Sequence, residues 1–180
     1  MALRILLSEQ QIRSRILELG ACIHEDYPEG PLLLIGILKG AFYFLGDLSR
    51  AIGRDVFIDF MGISSYGRGK TTSGEVRVTK DLDVSIEGTD VLVVEDIIDS
   101  GITLNYLVGL LSQRKPKSVR VATLLDKPER RMRQVDVAYV GFQIPDEFVV
   151  GYGLDYAERY RNLRDICVLE EDEQSTADGT

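Results

Sequence analysis

Several residue types that often carry protein chemistry are scarce in this chain of 180 residues. It has no tryptophan, one histidine and only two cysteines, Cys22 and Cys167. The cysteines lack the spacing of a metal site and both sit among apolar residues, so we expect buried, reduced thiols. The histidine, His24, falls near the end of a predicted helix, where a structural role is favoured over catalysis. A hydrolase built on a histidine base is therefore disfavoured.

Long apolar runs and excess positive charge are also absent. No apolar run reaches membrane-spanning length, and the first residues lack the apolar core of a signal peptide. The net charge of −8 disfavours broad binding to nucleic acids or to membrane surfaces. The length fits one domain, which we place at residues 1–170, followed by an acidic tail at residues 171–180 that we expect to be disordered. These features predict a cytoplasmic globular protein without nucleic-acid or membrane partners.

The most informative stretch begins with the apolar run Val91–Val94, which is typical of a strand buried on both faces of a parallel sheet. Two carboxylates follow where this strand is predicted to end, and further polar groups and a glycine precede a helical leucine pattern: Glu95, Asp96, Asp99, Ser100, Gly101, Ile102 and Thr103. Open α/β sheets bind ligands at such a strand end, and the free amides of a helix N-terminus hold phosphate.

The paired carboxylates indicate what lies beside that phosphate. Glu95 and Asp96 would repel a phosphate, but as acceptor-only groups they suit hydroxyl donors or a metal. The ligand indicated is therefore a ribose 5-phosphate. The alternative, in which these carboxylates only solvate a strand end and cap a helix, needs fewer polar groups than the segment contains.

Other strands and helices alternate along the chain, which predicts an α/β fold with an open, mostly parallel sheet flanked by helices. Ser8 and Gln11 predict a capping box at the start of the first helix. Its apolar face is predicted to comprise Ile12, Ile16, Leu19 and Ile23, and that of the next helix Phe42, Leu45, Leu48 and Ile52. Further strands are predicted at residues 32–38, 56–61, 75–79, 118–125 and 135–140.

Lysines follow two of the predicted strands. Lys39 suits pyrophosphate oxygens and Gly40 permits close backbone contact, although the spacing alone fits a solvated lysine equally well. The same choice stands open for Lys127. A third lysine segment, 69–71, looks like the end of a P-loop, but Ser64 replaces the required glycine and a strand pattern follows, so we reject a nucleotide triphosphatase.

The segment from Glu95 to Thr103 resembles the phosphoribosyl-diphosphate signature of type I phosphoribosyltransferases. With the residues 124–127 and 141–156, the chain resembles the 6-oxopurine branch of that family, from Leu32 through Arg161 to the strand at 166–168. The resemblance implies the type I phosphoribosyltransferase fold with a small hood formed by the N- and C-terminal segments. It implies transfer of a phosphoribosyl group from 5-phosphoribosyl 1-diphosphate to hypoxanthine, with guanine also used. It further implies Mg²⁺ as cofactor, small-molecule substrates and a homodimer or homotetramer.

The resemblance also implies roles for individual residues. The phosphoribosyl group would be bound by Glu95, Asp96, Asp99, Ser100, Gly101, Ile102 and Thr103. Pyrophosphate would be bound by Lys39, Gly40 and Arg161, with a non-proline cis peptide before the lysine. The purine would be bound by Lys127, Phe148, Val149 and Asp155, and the metal by Glu95, Asp96 and Asp155. Ser65 and Tyr66 would belong to a lid loop, and Asp99 would be the catalytic residue at the purine N7 proton.

The chain departs from some relatives at Ile102, where a lysine can stand in the phosphate loop. A second class of function is also open, a phosphoribosyltransferase-like regulator that binds RNA. Such a regulator needs a basic face, so the net acidity and the oxopurine segment both disfavour it.

Overall fold

The computed structural model describes residues 2–65 and 76–170. Within these residues the strands are β1 (Ala2–Leu7), β2 (Leu32–Leu38), β3 (Phe57–Ser65), β4 (Val76–Lys80), β5 (Asp90–Ile98), β6 (Ser118–Asp126), β7 (Tyr139–Gln143), β8 (Val149–Val150) and β9 (Ile166–Glu170). The α-helices are α1 (Glu9–Asp26), α2 (Phe42–Ala51) and α3 (Ile102–Ser112), and a short 3₁₀ helix spans Pro128–Arg130. The predicted tail at 171–180, Tyr66 of the predicted lid and the P-loop-like segment lie outside the described residues.

The main sheet has the strand order β4-β3-β2-β5-β6-β7. All neighbours are parallel except β4, which pairs antiparallel with β3 at one edge. The central strand β5 is buried along Val91–Val94, as expected for a strand covered on both faces. The predicted open, mostly parallel sheet is confirmed, and the carboxyl ends of β2, β5 and β6 meet at one edge.

The helices bury the faces that the sequence predicts, with one exception. Ser8 and Gln11 form the capping box of α1, and Ile12, Ile16, Leu19 and Ile23 are buried. In α2 the buried residues are Phe44, Leu45 and Leu48, whereas Phe42 is 50% exposed. The prediction for Phe42 is wrong because this residue opens the helix and lies against Tyr43, at a ring distance of 4.2 Å, instead of facing the core.

A small antiparallel sheet of β1, β9 and β8 forms the hood, which joins the two ends of the described chain. Ala2 pairs with Glu170 in β1 and β9, and Val149 pairs with Val168 in β8 and β9. The N- and C-terminal segments therefore form the hood that the sequence predicts.

Two further expectations are wrong. Cys22 is exposed, because it lies on the face of α1 turned away from the buried residue Ile23, whereas Cys167 is buried as predicted. The strand predicted at 135–140 begins only at Tyr139, where pairing with Ala122 of β6 starts. Val135 pairs with no strand and packs on the core from a loop, so its apolar character marks burial and not a strand.

His24 has the structural place that the sequence favours. Its Nδ1 donates to the Ile52 carbonyl oxygen at 2.9 Å, which joins the last turn of α1 to the end of α2. None of the helices in the described part of the chain combines the length and apolar character that a membrane span requires.

Candidate active site

A short loop joins the end of β5 to the start of α3. Gly101 is the N-cap of α3 and has a φ of 76°, a left-handed conformation that favours glycine. The Ser100 carbonyl accepts bonds from the amides of Met132 and Arg133, at 2.9 and 3.0 Å, which fixes the loop from behind. Across the described residues, the amides of Gly101 and Thr103 have no acceptor. Free amides at the positive end of a helix dipole can bind a phosphate.

Glu95 and Asp96 lie within β5, because its pairing with β6 continues to the Ile98–Asp126 pair. The sequence placed the strand end before them. Burial raises the pKa of Glu95 well above its usual range, and the neighbouring charge of Asp96 adds to this effect. Burial also raises the pKa of Asp96 to about 6. Two adjacent, partly buried carboxylates with raised pKa values are suited to a cation or to hydroxyl donors.

The chemistry of this pair fits a magnesium ion. Both groups offer hard oxygens, and Glu95 Oε2 is buried with no hydrogen-bond partner in the described parts of the chain. Among the described residues, no cluster of three or more His, Cys, Asp or Glu side chains is arranged to hold a metal. Asp155, the third predicted ligand, already accepts from Arg161 Nη2 at 2.9 Å and from the Glu158 amide at 2.8 Å. A cation at the pair would complete its shell with water or phosphate oxygens.

Gly40 connects this pair to the loop after β2. The peptide between Leu38 and Lys39 is cis. A β-carbon on Gly40 would overlap Asp96 Oδ2 and lie 2.6 Å from Asp96 Cγ. On its other side, the Gly40 carbonyl fills the place where Gly153, at φ 103°, would carry a β-carbon. The glycine at position 40 is therefore required by close packing between a carboxylate and a backbone turn.

The three predicted pyrophosphate residues lie in one place. Lys39 Nζ donates to Glu158 Oε2 at 2.8 Å, and Arg161 Nη2 donates to Glu158 Oε1 at 3.1 Å. Arg161 Nη1 also donates to the carbonyl of Gly153, the residue against Gly40, at 2.8 Å. Two cations and a close-packed backbone turn thus converge beside the carboxylate pair.

On the other side of the β5 end, Lys127 meets Asp99. Lys127 is buried, and its Nζ lies 3.7 Å from Asp99 Oδ1 and 3.7 Å from Asp146 Oδ1. Asp99 Oδ1 is buried without a hydrogen-bond partner among the described residues. The site therefore presents a donor-only group and a free acceptor side by side.

The remaining predicted purine residues belong to the segment that leads into the hood. Phe148 is 54% exposed, and its ring meets Tyr156 edge-on at 5.8 Å. Val149 is buried and starts β8. An exposed ring beside a buried strand can cover the flat face of a ligand. Of the predicted lid residues, Ser65 ends β3 and Tyr66 lies outside the described residues.

The sequence missed three residues of this site. Glu158 bridges the two cations. Arg131, predicted in an exposed turn, has a side chain only 18% exposed that pairs with Asp126, and its Cδ lies 3.1 Å from the place of a β-carbon on Gly101. The hydroxyl of Tyr152 donates to Asp47 Oδ2 at 2.6 Å and so ties the turn beside Gly40 to α2. Of these three residues, only Tyr152 lies in a sequence pattern that indicates its place: the Gly-Tyr-Gly sequence predicts a tight turn, but it does not identify Asp47 as the hydrogen-bond partner.

The comparisons with known proteins agree with this geometry. A phosphoribosyl transferase domain model matches residues 4–157. The chain is 53% identical over 167 residues to a hypoxanthine-guanine phosphoribosyltransferase of Bacillus subtilis, with 93% of each chain covered. It is 53% identical over 172 residues to a hypoxanthine phosphoribosyltransferase of Haemophilus influenzae, covering 93% of this chain and 96% of that protein.

Among solved structures, a hypoxanthine phosphoribosyltransferase from Staphylococcus aureus has a TM-score of 0.90 at 50% identity, with 93% of this chain and 91% of that chain covered. The similarity therefore covers most of the chain. The predicted resemblance is confirmed, and the chain belongs to the phosphoribosyltransferase family.

Proposed function

We propose that the protein transfers the phosphoribosyl group of 5-phosphoribosyl 1-diphosphate to hypoxanthine, and also to guanine, with release of pyrophosphate. The observation that carries this proposal is the end of β5. There, the free amides of Gly101 and Thr103 adjoin the partly buried pair of Glu95 and Asp96. A phosphate site beside acceptors for a sugar diol matches the ribose 5-phosphate half of the donor.

The reaction requires positioning and charge rather than a covalent nucleophile. When pyrophosphate leaves, positive charge develops on the anomeric carbon and the ring oxygen, and negative charge develops on the leaving group. Lys39 and Arg161 would neutralise the leaving group, and the Gly40 amide region would hold it close to Asp96. A magnesium ion at Glu95 and Asp96, when bound, supplies further positive charge to the diphosphate.

The base would be read by Lys127 and Asp99. The 6-oxo group and N7 lie on one edge of a 6-oxopurine, so one donor and one acceptor must stand side by side. The 3.7 Å separation of Lys127 Nζ and Asp99 Oδ1 supports this pairing, with Asp99 accepting or hydrogen-bonding the N7 proton. Adenine would place its amino group against the donor-only lysine. Phe148 would stack on the purine, and Val149 would offer backbone groups.

A panel of purines offered with phosphoribosyl diphosphate and magnesium tests this function. We expect turnover of hypoxanthine and guanine, and a loss of at least about 100-fold in kcat/KM for hypoxanthine in Lys127→Met. Lys115→Met is the matched control, because Lys115 is exposed on the loop after α3. Turnover of adenine but not of hypoxanthine would overturn the base assignment.

The family membership also supports a homodimer or homotetramer and a cytoplasmic location, and the two free cysteines suit a reducing compartment. Sedimentation of the purified chain would establish the assembly. The relatives are named as transferases, which gives the RNA-binding alternative no support. A filter-binding assay with RNA would check this point, and retention of the RNA at physiological salt would reopen the alternative.

A further inference from the structure

Glu158 occupies an unusual position between the two cations proposed for the leaving group. Its carboxylate accepts from Lys39 at 2.8 Å with one oxygen and from Arg161 at 3.1 Å with the other. A diphosphate oxygen would make the same two charge-assisted contacts. The two cations lower the pKa of Glu158, so its carboxylate remains ionised at neutral pH.

The local backbone is built to present this side chain. Ala157, Glu158 and Tyr160 all have positive φ, at 51°, 64° and 75°. Left-handed conformations are unfavourable for residues other than glycine and persist where the surroundings enforce them. The Glu158 amide donates to Asp155 Oδ2 at 2.8 Å, and Tyr156 and Arg159 exchange two backbone hydrogen bonds across the turn. The turn therefore holds Glu158 in place without help from a ligand.

The contacts of Glu158 are nevertheless easily broken. The side chains of Glu158 and Lys39 are 65% and 67% exposed, and ion pairs between exposed side chains contribute little free energy. Glu158 also lines a cavity of about 600 Å³ with Phe42, Tyr43 and Arg161, so a displaced carboxylate has room to move into solvent. A ligand with more negative charge than one carboxylate would win the competition for the two cations.

We propose that Glu158 is a positioning residue that holds Lys39 and Arg161 together in the free enzyme and is displaced by the diphosphate of the donor. This inference rests on the proposed function, because it takes both cations as diphosphate ligands. Glu158 keeps Lys39 and Arg161 paired until the donor arrives, and because the donor must displace it, donor binding is weaker.

The test is steady-state kinetics of Glu158→Gln and Glu158→Ala in both reaction directions. We expect the KM for phosphoribosyl diphosphate, and for inorganic pyrophosphate in the reverse reaction, to fall about 3- to 10-fold, as loss of a weak competing ion pair predicts. The KM for hypoxanthine should stay unchanged, and the difference from wild type should shrink in 0.5 M salt, roughly as screening requires. Glu18→Gln is the matched control, because Glu18 is 62% exposed and pairs with Arg15 at 2.6 Å away from the site.

A double-mutant cycle with Lys39→Met separates displacement from a general charge effect. If Glu158 competes through Lys39, the gain from Glu158→Gln should be largely lost in the Lys39→Met background, whereas a long-range charge effect would add independently. An unchanged or raised KM for the donor in both Glu158 variants would overturn the proposal, as would additivity in the cycle. If instead Lys39→Met alone leaves the donor KM unchanged, the diphosphate role of Lys39 fails, which is a failure of the proposed function.

Discussion

At Gly40, the addition of a single methyl group should lower the activity strongly but the stability only moderately. In Gly40→Ala the new β-carbon would overlap Asp96 Oδ2 and lie 2.6 Å from Asp96 Cγ. Carbon atoms in contact lie about 3.5–4.0 Å apart, so the carboxylate, whose Oδ2 is closer still, must retreat by at least about 1 Å. The clash falls on the end of a side chain and not on backbone, so the chain should still fold.

The expected loss of stability in Gly40→Ala is small compared with the expected loss of activity. Overpacking of this kind costs about 1–3 kcal/mol of stability, which lowers Tm by about 2–10 °C in a chain of this size. Misplacing a group that orients the substrate by about 1 Å can lower the rate about 100-fold. We therefore expect kcat/KM for the donor to fall about 100-fold while most of the protein remains folded at 25 °C.

The assay combines initial rates at saturating hypoxanthine with thermal unfolding. Gly46→Ala is the matched control, because Gly46 lies exposed in α2 and a β-carbon there meets no atom within 4 Å. Alanine is favoured over glycine in a helix by about 1 kcal/mol, so this control should raise Tm by about 2–4 °C and leave kcat/KM unchanged. Rates for Gly40→Ala within about threefold of wild type would refute the idea that Gly40 sets the position of Asp96.

Three further predictions concern the pH dependence of stability, the turn beside Gly40 and the predicted catalytic residue Asp99. Because burial raises the pKa of Asp96 from 3.8 to about 6, the folded state binds more protons than the unfolded state between these values. The metal-free protein should therefore gain stability as pH falls from 7.5 to 5, and Asp96→Asn should reduce that gain in urea titrations with EDTA, with the remainder due to Glu95, whose pKa is also raised. Tyr152→Phe loses the bond to Asp47 and should cost about 1–2 kcal/mol, measured in the same titrations, and an unchanged midpoint would contradict this. Asp99→Ala should lower kcat far more than stability, since Asp99 Oδ1 lacks a hydrogen-bond partner among the described residues, and parallel losses would assign Asp99 a structural role.

The fold could be predicted wherever periodicity reports burial. A continuous apolar run predicts the buried strand at Val91–Val94. Helical spacing of apolar residues predicts the buried face of α1 at Ile12, Ile16, Leu19 and Ile23, and the capping box marks where α1 begins. The same signal failed for Phe42 and for Cys22, because apolar neighbours in sequence do not say which side of a helix end faces the core. It failed again at Val135, which is partly buried and packs against the core from a loop.

The candidate site could be predicted where one segment contains the whole arrangement. The residues from Glu95 to Thr103 are consecutive, so their order alone places carboxylates and amides together. The contacts that complete the site join distant segments instead: Glu158 reaches Lys39, Tyr152 reaches Asp47, and the Gly40 backbone fits beside Asp96. No local pattern encodes such pairs, because the position of each side chain depends on the tertiary structure of the whole chain.

The hood connects the first strand to the proposed purine site at Val149. Val168 of β9 lies between Arg4 of β1 and Val149 of β8, so the backbone at Val149 is braced by the opposite end of the chain. Proteolytic trimming or an affinity tag that disturbs β1 should thus perturb the proposed purine site before the proposed phosphate loop, which extends from the other sheet. Because Ala2 lies opposite Glu170, the two ends of the described part of the chain lie side by side in the hood.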